Sequence, residues 1–276
     1  MLKIRMEVNP MAKGFDCATP LTAEKAREFI ASGFTFVCRY LAPAGSWKRL
    51  TAAEAQRVTD AGLWLVSVFE RGADNALAGA AQGAEDGRLA LQYAREVGQP
   101  EGTVIYAAVD TDVNSSHYDA IEAYLQAFDE QITGYELGVY GEYEICKVMR
   151  DRGIVSKVWQ TYAWSRGAKV EDSNIYQYEN DVTENGIGID RDESNGDAGG
   201  WRVGMAIKNS VPELSAAIAN NIIESYLSVA WDNCEKERLL ALDAGREDDA
   251  AAWMQLRDWQ HTLADELRKA SGQQMV

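Results

Sequence analysis

Short apolar runs alternate with amphipathic segments along most of the chain, and this alternation restricts the fold more than any other feature of the sequence. The run at 104–109 is the clearest example, because six consecutive apolar residues are typical of a strand buried on both faces. Seven further runs predict strands at 14–16, 34–40, 63–69, 137–140, 155–162, 175–178 and 187–190. Segments with helical spacing separate the first six of the eight strands. Alternation of this kind indicates an α/β fold with a parallel sheet.

The number of strand units favours closure of the sheet. Eight units over roughly 190 residues predict an irregular, TIM-like (β/α)8 barrel, irregular because only a turn separates the last two strands. A doubly wound open sheet is the alternative. No GxGxxG motif follows the first predicted strand, so nothing in the sequence indicates a dinucleotide site.

The pattern changes after Trp201. One predicted helix carries apolar residues at four-residue spacing, and a second, beyond Gly245, carries them close to heptad spacing. These positions are Leu214, Ile218, Ile222, Tyr226 and Ala230 in the first helix and Trp253, Leu256, Gln260, Leu263 and Leu267 in the second. We therefore expect two domains, a barrel over 1–200 and a C-terminal helical hairpin over 201–276. Residues 205–270 are a candidate surface for docking or for pairing with a second copy.

The charge and the cysteine content exclude several classes of function. A net charge of -16 argues against nucleic acid and against an anionic membrane surface as partners. No run approaches the roughly 20 apolar residues of a membrane span. Four dispersed cysteines and two histidines offer little for a zinc site, so we expect no metal and no cofactor. The leader 1–13 lacks the apolar centre of a signal peptide, which predicts cytoplasmic synthesis without export by that route.

Acidic residues follow several of the predicted strands. They are Asp16, Glu70, Asp110, Asp112 and Asp190, with Asp192 two residues further on. In a (β/α) barrel the carboxyl ends of the strands meet at one mouth, where these side chains would converge. If the fourth strand continues to Asp112, the period of two places Asp110 and Asp112 on one face. A strand end with an Asp-rich turn explains that pair alone equally well, but it does not explain five or six acids at one mouth.

Aromatic residues also lie near the predicted strand ends. They are Tyr40, Tyr140, Trp159, Tyr162, Trp164 and Tyr178. Aromatic rings stack on sugar faces and carboxylates carry out acid–base chemistry on a glycosidic bond, so the combination favours a glycan site. We expect substrate contacts from Tyr40, Tyr140, Trp159 and Tyr178. Arg39 either organises carboxylates or contacts substrate, and Glu70 is either a site acid or an ion-pair partner of Arg39 or Arg71.

A set of short motifs resembles one known family. The motifs are Gly14–Cys17, Arg39–Tyr40, Ala107–Asp112, Gly138–Gly141, Tyr176–Tyr178 and Gly188–Asp190. In this order, over roughly residues 12–200, they resemble the glycoside-hydrolase-like family DUF1906, which is related to the family 25 lysozymes, muramidases of peptidoglycan. The resemblance implies a lysozyme-like hydrolase with Asp16, Asp110, Asp112 and Asp190 as catalytic residues. Asp112 stands where those lysozymes carry the glutamate that acts as general acid.

Three functions follow from this combination of features. The first is a glycoside hydrolase acting on peptidoglycan, with Asp112 as general acid, Asp110 or Asp16 as the ionised partner, and Asp190 orienting substrate. Such an enzyme would act at the wall after release from the cell that makes it, as phage lysins do. The second is a non-catalytic glycan- or wall-binding module on the same barrel. The third is a structural protein that docks through its hairpin.

Overall fold

The computed structural model describes residues 12–205, 215–271 and 273, apart from the side chain of Lys269. The chain divides into two compact units, Met1–Ile207 and Lys208–Val276. Most of the leader 1–13 lies outside the described residues. No helix in the described part of the chain is long and apolar enough to cross a membrane.

The first unit is a closed barrel of eight strands in sequence order, which confirms the predicted fold class. The strands are β1 Ala12–Asp16, β2 Phe36–Leu41, β3 Trp64–Phe69, β4 Val104–Val109, β5 Glu136–Gly141, β6 Lys157–Thr161, β7 Ile175–Glu184 and β8 Ile187–Ser194. Strands β1 to β7 are parallel, whereas β8 pairs antiparallel with both β7 and β1. The two-residue turn Asn185–Gly186 has positive φ at both positions, and a turn this tight joins antiparallel neighbours.

Five helices cover the outside of the barrel, one after each of the first five strands. They are α1 Ala23–Ala31, α2 Ala52–Ala61, α3 Ala80–Val97, α4 Tyr118–Asp129 and α5 Tyr143–Asp151. Thr22 and Thr51 cap α1 and α2 by accepting a hydrogen bond from the backbone three residues on. Residues 162–174, all within the described part of the chain, contain no helix, so the barrel is irregular.

Apolar side chains fill the barrel as well as the space beneath the helices. The interior layer includes Phe36, Val66, Tyr106 and Trp159, and the rings of Tyr106 and Trp159 meet edge to face with centroids 5.9 Å apart. Trp201 is fully buried and packs with the apolar residues beneath the helices. Its backbone pairs with Leu65, and its indole N–H donates to the Ser67 hydroxyl at 2.9 Å. Trp201 therefore packs as part of the barrel rather than as the first residue of the hairpin.

The second unit is a helical hairpin, as predicted. Helix α6 Ala216–Ile222 continues through the π-helical turn Ile223–Leu227 into α7 Ser228–Asp243, and α8 Glu247–Ala270 returns alongside α7. An interhelical ion pair joins Glu235 to Arg257 at 2.9 Å.

The residues buried in the hairpin differ from those that the spacing predicted. The buried positions are Ala219, Ile223, Cys234, Ala241, Ala250 and Ala264, whereas Ile218, Tyr226 and Leu256 are exposed. Trp259 is 57% exposed. The π-helical turn adds a residue to one turn and shifts the phase of the helix, and small residues allow close approach of the two helices. Leu214 lies outside the described residues.

Candidate functional site at the barrel mouth

Three acidic side chains from distant parts of the sequence meet at the mouth of the barrel. Asp16 is the last residue of β1, Asp110 follows β4 directly, and Asp190 lies in β8 opposite Asp16 in the strand register. Asp192, two residues further along β8, lies opposite Gly14 and deeper in the barrel. Because β8 is antiparallel, its early residues lie level with the carboxyl ends of the other strands. The convergence of Asp16, Asp110 and Asp190 at one mouth was expected from their positions after strands.

A glutamine that was not predicted as a site residue connects two of these acids. The side-chain amide of Gln177 in β7 donates to Oδ2 of Asp16 at 2.7 Å and to Oδ2 of Asp190 at 3.3 Å. The Tyr140 hydroxyl donates to Oε1 of Gln177 at 3.1 Å, which orients the amide with its NH2 group towards the acids. Gln177 belongs to a motif shared with the family, but a neutral amide gives no charge signal in a sequence.

Asp190 receives a second hydrogen bond from an irregular point in β7. The β7–β8 pairing shifts register between Glu179 and Val182, and Asp181 within this bulge has φ of 59°. The Asp181 N–H consequently points at Asp190 and donates to Oδ1 at 2.8 Å. Two N–H donors thus stabilise the ionised form of Asp190, one on each oxygen.

All four of these carboxyls have raised pKa values, with burial as the largest cause. Burial and Asp190 raise the pKa of Asp16 well above its usual value, and burial and Asp16 do the same for Asp192. The pKa of Asp110 is raised by burial and then by Glu70. Burial also raises the pKa of Asp190, while the Asp181 N–H opposes that effect. Like charges in a partly dry site favour partial protonation, so the cluster can hold protons at neutral pH.

Glu70 lies beside this cluster and carries its own cation. Its carboxylate pairs with Lys48 at 3.1 Å, and the Lys48 ammonium lies 4.6 Å from the centroid of the Tyr40 ring. The expected alternatives for Glu70 were a second site acid or a partner of Arg39 or Arg71. The observed partner is instead Lys48, in the β2–α2 loop.

Asp112 lies apart from the other acids. Strand β4 ends at Val109, so the alternation of side chains along the strand does not extend to Asp112. The side chain of Asp112 is exposed. Its neighbour is Glu142, which directly follows β5. Burial, and then the charge of Asp112, raise the pKa of Glu142, and Oε1 of Glu142 is buried without a hydrogen-bond partner among the described residues. Glu142 was not predicted, although its position directly after a strand is the signal that identified the other acids.

Arg39 is fully buried and does not reach the cleft, so a contact with substrate does not fit its placement. Its Nε lies 2.8 Å from Oε1 of Glu54, and a second nitrogen donates to the Cys17 carbonyl. Glu54 also accepts the Leu21 N–H at 2.9 Å. This pair fixes the loop that follows Asp16, which is an organising role.

The predicted aromatic residues have different environments. Trp159 is 2% exposed and fills the barrel interior, so a contact with substrate does not fit its placement either. Tyr40 and Tyr140 are half-buried at the mouth, and the charge of Asp16, after burial, raises both hydroxyl pKa values. Tyr178 is exposed but does not line the cleft.

An open cleft of about 300 Å³ leads from solvent to Asp16 and Asp190. It is lined by Asp16, Cys17, Ala18, Thr19, Tyr40, Trp47, Asp181, Gly188, Ile189 and Asp190. Trp47, in the β2–α2 loop, is 71% exposed and was not predicted, because no strand or helix pattern marks a loop residue as part of a site. An exposed ring beside carboxylates provides an apolar face and hydrogen-bond acceptors in the same cleft.

Comparisons with known proteins agree with this architecture. Residues 27–194 match the sequence profile of the family described as the Rv2525c-like, glycoside hydrolase-like domain. The *Bacillus subtilis* (strain 168) protein YbfG is 32% identical over 162 residues, which are 52% of this chain and 22% of that protein. FadG of the same strain is 28% identical over 161 residues, which are 53% of this chain and 27% of that protein. The chain thus spans about a quarter of the length of these relatives.

The barrel is also similar to that of a solved structure. The crystal structure of the *Mycobacterium tuberculosis* Tat-secreted protein Rv2525c in complex with L-tartrate superposes with a TM-score of 0.59 at 23% identity. The match covers 67% of this chain and 94% of that chain. At this identity the similarity shows a shared fold.

Proposed function

Because the chain belongs to the family of Rv2525c-like, glycoside hydrolase-like domains, we propose that its barrel hydrolyses a bacterial cell-wall glycan, with peptidoglycan as the substrate. The observation that carries the proposal is the cluster of Asp16, Gln177 and Asp190 on the floor of an open cleft, with Asp110 beside it. The exposed ring of Trp47 beside this cleft supplies a stacking surface for a sugar.

Most glycoside hydrolases use one protonated and one ionised carboxyl. Asp110 fits the proton donor, because it is half-buried, burial and Glu70 raise its pKa against the opposing charge of Lys48, and no hydrogen-bond donor among the described residues contacts it. Asp190 fits the ionised partner, because Gln177 and Asp181 donate to its two oxygens. Neighbouring acids whose environments favour opposite protonation states can divide the two roles in this way. Asp16, which shares Gln177 with Asp190, would orient the substrate or stabilise developing positive charge.

This assignment differs from the role that the lysozyme resemblance gives to Asp112. Asp112 is exposed, and it does not line the cleft that holds Asp16 and Asp190. Purified wall suspensions treated with the wild type, Asp110→Asn and Asp112→Asn separate the two assignments. We expect loss of turbidity with the wild type, a loss of activity of at least about 100-fold for Asp110→Asn, and less than about tenfold for Asp112→Asn. A larger loss of activity for Asp112→Asn than for Asp110→Asn would indicate that Asp112 is the general acid.

The exposed position of Asp112 also favours a second candidate, a glycan-binding module without turnover. In that case the wild type and Asp110→Asn would bind wall fragments with equal affinity, and neither would release reducing ends. Trp47→Ala would weaken binding of wall fragments in both cases, since stacking does not depend on catalysis.

As a hydrolase, the protein would act at the cell wall after release from the cell that makes it.

A further inference from the structure

Asp192 is a carboxyl sealed inside the barrel beneath the cleft. Its side chain has 0% exposure, and its Oδ1 accepts the indole N–H of Trp159 at 2.9 Å. The Cys38 thiol lies 4.0 Å from Oδ2, and burial chiefly raises the pKa of this thiol, so Cys38 remains a neutral S–H group. No Lys or Arg side chain in the described part of the chain forms an ion pair with Asp192. The Trp159 N–H favours the ionised form, but an unpaired buried charge is costly and burial is the largest cause of the raised pKa of Asp192, so this environment favours the neutral acid.

Asp16 is the neighbour that can accept the proton of Asp192 in a hydrogen bond. The two carboxyls project inward from adjacent strands, with Gly14 opposite Asp192, and lie within hydrogen-bonding reach of each other. Two buried carboxylates in contact cannot both be ionised without a cation. Asp16 also accepts the Gln177 N–H and lines the cleft, whereas Asp192 is closed off from solvent. The charge of the pair therefore rests on Asp16 and the proton on Asp192.

We propose that Asp192 is a neutral carboxylic acid that donates a hydrogen bond to Asp16, and that it thereby holds Asp16 as an oriented, ionised carboxylate on the floor of the cleft. This role of Asp192 rests on the proposed function, because its kinetic test requires hydrolysis of the glycan. Asp192 would be a positioning residue, since it acts through Asp16 and does not reach the cleft. Nothing in the sequence distinguished it from the other acids of β8.

The charged and titratable groups around the pair are consistent with a single proton. Those facing Asp192 are Asp16, Asp190 and Cys38, and those facing Asp16 are Asp190, Asp110, Arg39, Tyr40, Tyr140 and Cys17. Arg39 is the cation in this group, and its guanidinium is paired with Glu54. Asp16 and Asp192 thus share one negative charge and have no counter-ion of their own. Ionisation of the second carboxyl is therefore unfavourable.

The protonation state can be measured without turnover. In protein labelled with ¹³C at the aspartate carboxyl, the wild type should show a carboxyl that stays protonated at pH 7. Asp192→Asn should remove this resonance, because the amide replaces the O–H donor with an N–H of similar shape. Asp74→Asn, at an exposed aspartate, is the matched control and should leave the resonance unchanged. If no wild-type carboxyl stays protonated at pH 7, or if Asp192→Asn does not remove it, the inference is overturned.

Kinetics supply the second readout. Asp192→Asn should keep kcat within about threefold of the wild type with the same acidic limb in its pH profile, since a donor to Asp16 remains. Asp192→Leu removes the donor, so its acidic limb should move to higher pH. A displacement of the acidic limb to lower pH in both variants would mean that Asp192 carries a negative charge in the wild type, and would overturn the inference. If the wild type releases no reducing ends, the proposed function fails while the labelled-carboxyl measurement still decides the state of Asp192.

Discussion

Gln177 and Asp16, which are 161 positions apart in the chain, are joined by a 2.7 Å hydrogen bond across the barrel mouth. The same amide reaches Asp190 at 3.3 Å, so one neutral side chain fixes two acids at a separation that their charges would otherwise oppose. The geometry of the candidate site therefore depends on a residue that carries no charge.

Gln177→Met keeps the approximate shape of the side chain and removes both donors. A hydrogen bond to a charged group contributes about 1.5–3 kcal/mol, so we expect kcat/KM on wall glycan to fall by roughly 10- to 100-fold. Tyr140→Phe removes the contact to Oε1 of Gln177 and should cost less than about tenfold. Initial rates of reducing-end release measure both variants. Full activity of Gln177→Met would show that the bridge has no part in the reaction.

The pH dependence of stability should follow from the raised pKa values of Asp16 and Asp192. A carboxyl with a raised pKa binds its proton more tightly in the folded state than in the unfolded state. Its stabilising contribution is complete below the unfolded pKa, about 3.9, and is lost as the pH rises through the folded pKa. We expect the free energy of unfolding to fall over this window, and to fall less in Asp192→Asn. Urea unfolding at a series of pH values measures the slopes, and identical slopes in the two proteins would contradict the prediction.

The buried pair of Arg39 and Glu54 should matter for stability rather than for chemistry. Both side chains are buried, with Nε and Oε1 2.8 Å apart. Removing one partner leaves an uncompensated buried charge, which costs about 3–5 kcal/mol, so Arg39→Met and Glu54→Gln should each destabilise the barrel by that amount. The double variant Arg39→Met/Glu54→Leu should cost less than the sum of the two single changes. Chemical denaturation tests this, and single costs below about 1 kcal/mol would contradict it.

The hairpin exposes an unusual number of large apolar side chains, and this supports pairing with a second copy. Tyr226 is 67% exposed and Trp259 57%, and Ile218, Val229, Leu240 and Leu256 are each about half exposed. Such surface usually marks an interaction site. Light scattering should show a dimer for the full chain and a monomer for a chain that ends after Met205, which retains Trp201 in the barrel. A monomer in both cases would remove the hairpin as an oligomerisation element.

The positions of site residues could be predicted from the sequence where strands and helices alternate regularly. Asp16, Asp110 and Asp190 could be placed at one mouth because strand ends in a barrel converge. Asp112 could not be placed, because the apolar run at 104–109 matches β4 but does not show the path of the chain after Val109. The alternation of side chains applies only within the strand, so it does not determine whether a carboxyl three residues further on faces the site or the solvent.

Residues outside the periodic elements account for most of what sequence reasoning missed. Trp47 and Lys48 lie in a loop whose conformation no local pattern specifies, and Gln177 gives no charge signal. The buried positions of the hairpin were predicted incorrectly for a similar reason. The π-helical turn at 223–227 breaks the helical spacing from which the hairpin core was predicted.

We propose that the acids at the barrel mouth hydrolyse a wall glycan. Digestion of purified peptidoglycan in H₂¹⁸O, followed by mass spectrometry of the soluble products, tests it most directly, because hydrolysis places one solvent oxygen on each new reducing end. We expect ¹⁸O-labelled reducing-end sugars with the wild type and none above background with Asp110→Asn. Unlabelled walls and no new reducing ends with the wild type, under conditions in which it binds them, would contradict it.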